Sequence, residues 1–382
     1  MAHHQIMVGD CIDMMRTLPD QSVHTCITSP PYFGLRDYGV DGQIGLEASP
    51  REFIENLVAV FREVRRVLRD DGTLWVNLGD SYASGGRGGG GRYMAERQDS
   101  AWQGKGDATG WRSAPAGWKH KDLLGLPWRL AIALQDDGWY LRQDIIWHKP
   151  NPMPESIKDR CTKAHEYLFL LSKSPRYYFD QAAIREPAAA SSVARWSQDL
   201  ASQAGSNRQP GKTNGAMKAA GGSRRNSFAR DTKYTAGEHG QTAQHRAGRA
   251  DIDYDQTRNK RSVWTVATAS FKGAHFATFP PDLIRPCVLA GAPRGELVLD
   301  PFGGAGTTAL VAMQEGRQSV ICELNPEYAA LARQRIDTAW AEGAAQMDFL
   351  LDQTPAANGP RFSIQSRHAG EERVCPSHCV PV

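Results

Sequence analysis

Apolar positions along the chain keep two rhythms, one of about two residues and one of three and four, and both break where proline or glycine intervenes. Over residues 5–32 the pattern predicts strand, short helix, strand. Ile6, Met7 and Val8 form an apolar run that Gly9-Asp10-Cys11 ends; Met14, Met15 and Leu18 follow at helical spacing, and Pro19-Asp20 closes them off. Val23 to Ile27 is a short buried strand that stops at Pro30 and Pro31, which have no amide hydrogen to extend a ladder. Phe53, Leu57, Val60, Phe61, Val64 and Leu68 predict a helix over 50–69, ended by Asp71-Gly72, with the next strand over 73–78. Further on come a helix over 126–134 with Pro127 in its first turn, and strands over 140–148 and 165–172. The prolines of 149–154 keep the chain between those strands extended. The last third repeats the alternation: an apolar helical pattern over 281–289, a strand over 297–299, a glycine-rich turn, a helix over 307–313, a strand over 319–322 and a helix from Asn325-Pro326 to about Ile336. Such alternation implies an open, mostly parallel α/β sheet whose sites lie at strand carboxyl ends.

Two long stretches follow neither rhythm, and they hold back a hydrophobic fraction of only 41%. Residues 84–121 are glycine-rich, with seven Lys/Arg against three Asp/Glu and with Trp102, Trp111 and Trp118 interleaved. Such a segment cannot pack a core of its own, and basic with aromatic side chains suits phosphate contact and base stacking. It is read as a DNA-contacting loop that orders on binding. Residues 201–260 hold eleven Lys/Arg against five Asp/Glu in a background of Ser, Gln, Asn and Gly. Composition alone favours a linker there. The formal charge of the whole chain is only +3, so the argument for a nucleic-acid partner rests on distribution. Seven scattered cysteines suit reduced thiols in a cytoplasm, and no apolar run approaches membrane-spanning length.

The turn after residue 27 carries a short hydroxyl (Ser29), an unpaired carbonyl (Pro30) and an aromatic face (Tyr32). The Ser29 oxygen and the Pro30 carbonyl can accept the two N–H bonds of a planar base's amino group, and Tyr32 can stack on its ring. Alone, Ser-Pro-Pro would be an ordinary proline-rich turn. The second half of the chain changes that. Asp300-Pro301-Phe302-Gly303-Gly304-Ala305-Gly306-Thr307-Thr308 is a strand-to-helix turn whose glycines admit a ligand close to the backbone, and Glu323 follows at the end of the next strand, fit to bond ribose hydroxyls.

Thr28-Ser29-Pro30-Pro31-Tyr32 resembles the catalytic tetrapeptide region of DNA methyltransferases acting on exocyclic amino groups, and residues 300–308 resemble their S-adenosylmethionine motif. The catalytic motif precedes the cofactor motif, the order of the β class, and the likeness covers about 1–180 and 262–336. It implies a Rossmann-like methyltransferase fold with circularly permuted motif order. The domains then run 1–185 (catalytic half), 186–261 (inserted target-recognition region), 262–340 (cofactor half) and 341–382 (disordered tail). Catalysis would fall to Ser29, Pro30, Pro31 and Tyr32. The cofactor would touch Asp10, Cys11, Asp300, Pro301, Phe302, Gly303, Gly304, Gly306, Thr307, Thr308, Glu323, Leu324 and Asn325. His275 and Phe279, in the segment before the cofactor motif, would line its methionine end. For Asp10 a helix N-cap is an equally good reading. Double-stranded DNA would meet Arg36, Lys149, Arg224 and Arg225, and Trp147-His148-Lys149-Pro150-Asn151 with His165-Glu166-Tyr167 would line the base pocket. The loop 33–39 would close over the base.

The reaction so implied is methyl transfer from S-adenosylmethionine to N6 of adenine or N4 of cytosine in a flipped base. Ser29 speaks for cytosine and the size of the adenine subgroup for adenine, leaving the two nearly even. RNA or protein amide methylation and a non-catalytic DNA-binding regulator are the alternatives; the motif order and the intact Ser29, Tyr32, Asp300 and Glu323 oppose them. The resemblance further implies a bacterial or phage protein of the cytoplasm and nucleoid, in a restriction-modification setting, in a class where homodimers are common. No metal is expected: His165-Glu166-Tyr167 lacks the second histidine of a zinc helix, and Cys375, His378 and Cys379 sit without a framework.

Overall fold

Along the central strands neighbouring side chains bury themselves on opposite faces of one sheet. Cys26, Leu74, Val76 and Phe169 join one core, while Ile27, Trp75, Leu168 and Leu170 join the other. Strands buried on both sides are rich in apolar residues, as the runs at 23–28 and 74–78 are, with Thr25, Thr28 and Asn77 as their buried polar members. The computed structural model describes residues 4–83, 117–196, 257–268 and 279–352. The sequence expectations for Arg224, Arg225, His275, most of the 84–121 loop and the tail from 353 lie outside the described residues.

Among the described residues the main sheet has eight strands: β1 (His4–Val8), β2 (Val23–Thr28), β3 (Leu68–Leu78), β4 (Tyr140–His148), β5 (His165–Ser172), β6 (Val263–Thr265), β7 (Leu297–Asp300) and β8 (Gln318–Glu323). Their order is β1-β8-β7-β2-β3-β5-β4-β6. Only β5 runs against its neighbours, so the sheet is mostly parallel, as the alternation of elements implies. Helices α1 (Cys11–Arg16), α2 (Pro50–Val67) and α3 (Leu126–Asp136) cover one face. Helices α4 (Pro281–Gly291) and α5 (Thr307–Gln314) cover the other, and α6 (Pro326–Asp352) follows β8. The compact unit that holds the sheet ends at Ile336, and the second unit begins at Asp337.

Three boundaries differ from the periodicity. Helix α2 starts as its sequence asks, with Ser49 accepting from the Glu52 amide and Pro50 in the first turn, but it ends at Val67. Strand β3 begins at once at Leu68 and absorbs Asp71-Gly72 as an irregularity in its pairing with β2, where the pattern predicts a turn. The final helix runs on to Asp352, well past Ile336, because no proline or glycine pair stops it before then.

Each of the two polar stretches is closed at its base by a two-stranded ribbon. Tyr82–Ala83 pairs with Asp122–Leu123 below the 84–121 loop, and Glu186–Pro187 pairs with Thr257–Arg258 below the longer insertion, with Arg258 bonded to Glu186 at 3.2 Å. A short helix, Ala190–Trp196, opens that insertion. Trp118 does not join the DNA-facing set expected of its loop. It packs on the α2–α3 core, with the Arg129 guanidinium 4.7 Å above its ring.

Helix α4 meets the sheet at Gly291, where a β-carbon would lie 2.6 Å from Thr25 Oγ1, itself 2.9 Å from Thr73 Oγ1. Gly291→Ala should therefore lower stability by about 1–3 kcal/mol through overpacking, read as a fall in urea midpoint with an unchanged slope.

Candidate active site

Strands β2 and β7 lie side by side and parallel, with Val298 opposite Thr25 and Leu299 opposite Cys26. From β7 the chain continues through α5 to β8 on one side; from β2 it continues through α2 to β3 on the other. Their carboxyl ends thus form the switch point of the sheet, where a crevice is left between diverging connections. The double-proline turn and the glycine turn follow those two ends. They are joined by a buried bond of 2.6 Å from Thr28 Oγ1 to Asp300 Oδ1.

A cleft of about 700 Å³ opens there. Of the residues singled out by sequence, Ser29, Pro30, Pro31 and Tyr32 line it, as do Asp10, Cys11, Phe279, Asp300, Pro301 and Phe302. So do Gly303, Gly304, Thr307, Glu323, Leu324, Asn325, Arg36 and Lys149. Gly306 and Thr308 do not, contrary to the expectation that both touch cofactor. Gly306 takes the left-handed conformation (φ +75°) that caps α5, and a β-carbon there would meet Ala332 at 2.9 Å. Thr308 turns inward and donates to Asp300 Oδ2 at 2.6 Å.

One end of the cleft belongs to β1 and β8. Asp10 caps α1, its Oδ1 accepting from the Ile12 and Asp13 amides at 2.9 and 3.1 Å. The helix-cap reading therefore holds for one oxygen, and the carboxylate still borders the cleft. Glu323 accepts from the Gly304 amide at 2.7 Å through Oε2 and from the Asn325 amide at 2.8 Å through Oε1; burial pushes its carboxyl above the usual range, partly offset by these bonds. Burial likewise pushes the Cys11 thiol up to about 12, which leaves it an inert wall group. The loop expected to close over the base borders the cleft through Leu35, Arg36 and Tyr38, and the Tyr38 ring meets that of Tyr328 edge-on at 6.2 Å.

The other end belongs to β2, β3, β4 and β5. Tyr32 donates through its hydroxyl to Glu166 Oε2 at 2.7 Å, and its ring lies against Gly79, where a β-carbon would come within 2.5 Å of Cε2. Burial first, and Glu166 second, push the phenol well above its ordinary range, so it stays protonated. Asn77 donates to the Tyr167 carbonyl at 3.0 Å and to Glu166 at 3.3 Å; its oxygen faces Ser29 Oγ at 3.4 Å. Lys149, expected to meet DNA from a segment lining the base pocket, forms an ion pair with Glu166 and lies 4.3 Å from the Trp147 ring centroid.

Sequence reasoning omitted Asn77, Asp80, Lys163 and Tyr328 from the site, and reached Tyr38 only as a member of the loop 33–39. Asn77 had a signal, as the lone amide in the apolar run Leu74–Leu78. Asp80, Lys163 and Tyr328 have none, since only the topology brings their segments to the cleft.

A sheet of this order, with one cleft shared by a glycine turn and a double-proline turn at its switch point, defines the Rossmann-like methyltransferase class. A family model described as DNA methylase matches residues 23–334, and the chain belongs to that family. It is 45% identical over 335 residues to the type II methyltransferase M.Cfr9I of Citrobacter freundii, covering 86% of each chain. It is 42% identical over 333 residues to M.SmaI of Serratia marcescens, covering 87% of this chain and 90% of the relative. Among solved structures its fold is similar to that of PvuII DNA methyltransferase, described as cytosine-N4-specific. That match has a TM-score of 0.51 and 16% identity, over 89% of this chain and 94% of the other.

The Asp300 carboxyl is lifted to about 6 by burial, against three bonds from Thr28, Thr308 and the Phe302 amide. Unfolded, it titrates near the ordinary value of about 3.9. The native state thus holds this proton more tightly, so the group's contribution to stability falls as pH rises from roughly 4 to 6, and the cost is complete above that range. Asp300→Asn removes the titration. Urea titrations across that window should show wild type losing about 3 kcal/mol relative to the variant as pH rises, beside a constant offset from the altered bonds.

Proposed function

We propose that this DNA methyltransferase moves a methyl group from S-adenosylmethionine to the N4 amino nitrogen of a cytosine flipped out of duplex DNA. The observation that carries the reading is the 2.6 Å bond from Thr28 to Asp300, which sets a methyl-donor turn beside an amine-accepting turn. The donor set of the cleft fits the cofactor. Glu323 uses one lone pair on each oxygen for backbone amides, which leaves acceptors for two ribose hydroxyls. Asp10 keeps Oδ2 for an amino group, and Phe302 and Leu324 give apolar wall for a ring. When bound, S-adenosylmethionine supplies an electrophilic methyl group on a sulfonium.

The chain's own part is to orient the amine. An aromatic amino group delocalises its lone pair into the ring. Ser29 donates its hydroxyl hydrogen toward Asn77, so its oxygen is turned to accept from the base, and the Pro30 carbonyl accepts the second N–H. Both bonds hold the nitrogen toward tetrahedral geometry and free its lone pair for attack. Tyr32, fixed by Glu166, forms the wall against which the base rests. Lys149 serves as the partner that fixes Glu166. Arg36 at the cleft, with Arg224 and Arg225 of the inserted recognition region, contacts DNA. Serine at position 29, where aspartate is more usual in adenine enzymes, favours cytosine. Likeness to type II methyltransferases supports a restriction-modification role in a bacterial cytoplasm.

Mass spectrometry of nucleosides from DNA treated with the protein and S-adenosylmethionine should find N4-methylcytosine. N6-methyladenine would overturn the choice of base, and methyl transfer to RNA or protein alone would overturn the reading. Ser29→Ala should lower kcat by roughly 10²–10³-fold, the cost of one oriented partner, with the KM for the methyl donor little changed.

A further inference from the structure

The loop between β4 and β5 presents several cations, and two of them are neutralised in place. Lys149 pairs with Glu166, and Arg160 pairs with Glu155 at 2.8 Å while covering the Tyr82 ring at 4.1 Å. Lys163 differs. Its Nζ is shut off from solvent, and among the described residues it meets no hydrogen-bond partner. Yet it borders the same cleft as Ser29, Tyr32 and Asn77. The two carboxylates whose charge acts on it already hold other groups. Asp80 Oδ1 holds the Ser81 and Leu126 amides at 2.9 and 3.0 Å, and Glu166 takes Lys149, Tyr32 and Asn77. Burial pulls the Lys163 ammonium below its ordinary range while Asp80 and Glu166 pull it back up. A buried donor without an acceptor is costly, and such a group is kept where a ligand completes it.

We propose that Lys163 is a specificity-determining residue whose ammonium donates to the O2 carbonyl of the flipped cytosine. The inference rests on the cytosine reading above. Cytosine carries its amino group and its carbonyl on one edge, on either side of N3. With the amino group held by the acceptors Ser29 and Pro30, the far end of that edge needs a donor, and Lys163 is a donor bordering the cleft that has no partner among the described residues. Adenine has a C–H group there. It would leave the ammonium buried and unpaired, which is how a polar pocket rejects an analogue lacking the matching group. The nearby Asp80 and Glu166 carboxylates offset the cation, so it does not oppose the positive charge that grows on the base as the methyl arrives.

The test compares wild type with Lys163→Met on two duplexes carrying the recognition sequence, mapped from the sites the enzyme marks in genomic DNA. One duplex holds the target cytosine. In the other the cytosine is replaced by a 2-aminopyridine C-nucleoside, which keeps the amino group and the adjacent ring nitrogen but lacks the carbonyl. The wild type should prefer cytosine over the analogue by at least tenfold more than K163M does, in kcat/KM. Binding of S-adenosylmethionine to the variant should be unchanged. An equal loss by K163M on both duplexes, as a phosphate contact would give, overturns the proposal, and so does no loss on either. The preference is a ratio within one preparation, so partial misfolding does not disturb it. A wild type that marks adenine instead removes the underlying reading, an outcome separate from a cytosine enzyme whose preference ignores Lys163.

Discussion

A buried carboxylate joins the two halves of the chain. Two prolines end the backbone ladder of β2, and only two register pairs link it to β7. Past that point the strands would be free to splay. Asp300 prevents this by accepting from Thr28 on one strand end, from Thr308 in the following helix and from the Phe302 amide in its own turn. Side-chain bonds take over where backbone bonds become impossible. Among the described residues no cation pairs with it, and burial raises the cost of ionising it. An apolar pair would pack there at lower cost, but it would not fix the separation of two turns that must share one small space.

Beyond that junction the base end of the cleft is organised as a relay of polar contacts: Lys149 to Glu166, Glu166 to Tyr32 and Asn77, Asn77 to Ser29. Each member is held by a group on a different strand, so the Ser29 hydroxyl inherits its direction from the whole sheet. A site built on strands in this way needs little rearrangement when its substrate arrives, which is the condition under which oriented dipoles contribute most to rate.

Much of this was legible in the sequence, for identifiable reasons. The strands at 23–28 and 297–300 are short apolar runs with unmistakable stops, and the helix over 50–67 has both a cap and an apolar stripe. The two turns carry residues whose chemistry is local, so their roles could be read without a fold. What was not legible depends on contacts between distant segments. Strand β6 is three residues long and is defined by Trp264 burying itself near Trp147 rather than by any periodicity. The reversal of β5 cannot be seen in its own residues. Lys149 reads as a DNA contact until Glu166 is placed beside it, and Trp118 reads as a stacking platform until Arg129 covers it. Gly306 and Thr308 sit inside a ligand-binding motif yet serve the turn itself, a distinction that spacing does not carry.

The two ribbons have a bearing on how such a protein diversifies. Each long excursion departs and returns at neighbouring points, through Tyr82–Ala83 with Asp122–Leu123 and through Glu186–Pro187 with Thr257–Arg258. The cost of closing a chain segment grows only with the logarithm of its length. Lineages can therefore lengthen, shorten or rewrite what lies between the gateposts at small thermodynamic expense, while the chemistry next door keeps its alignment.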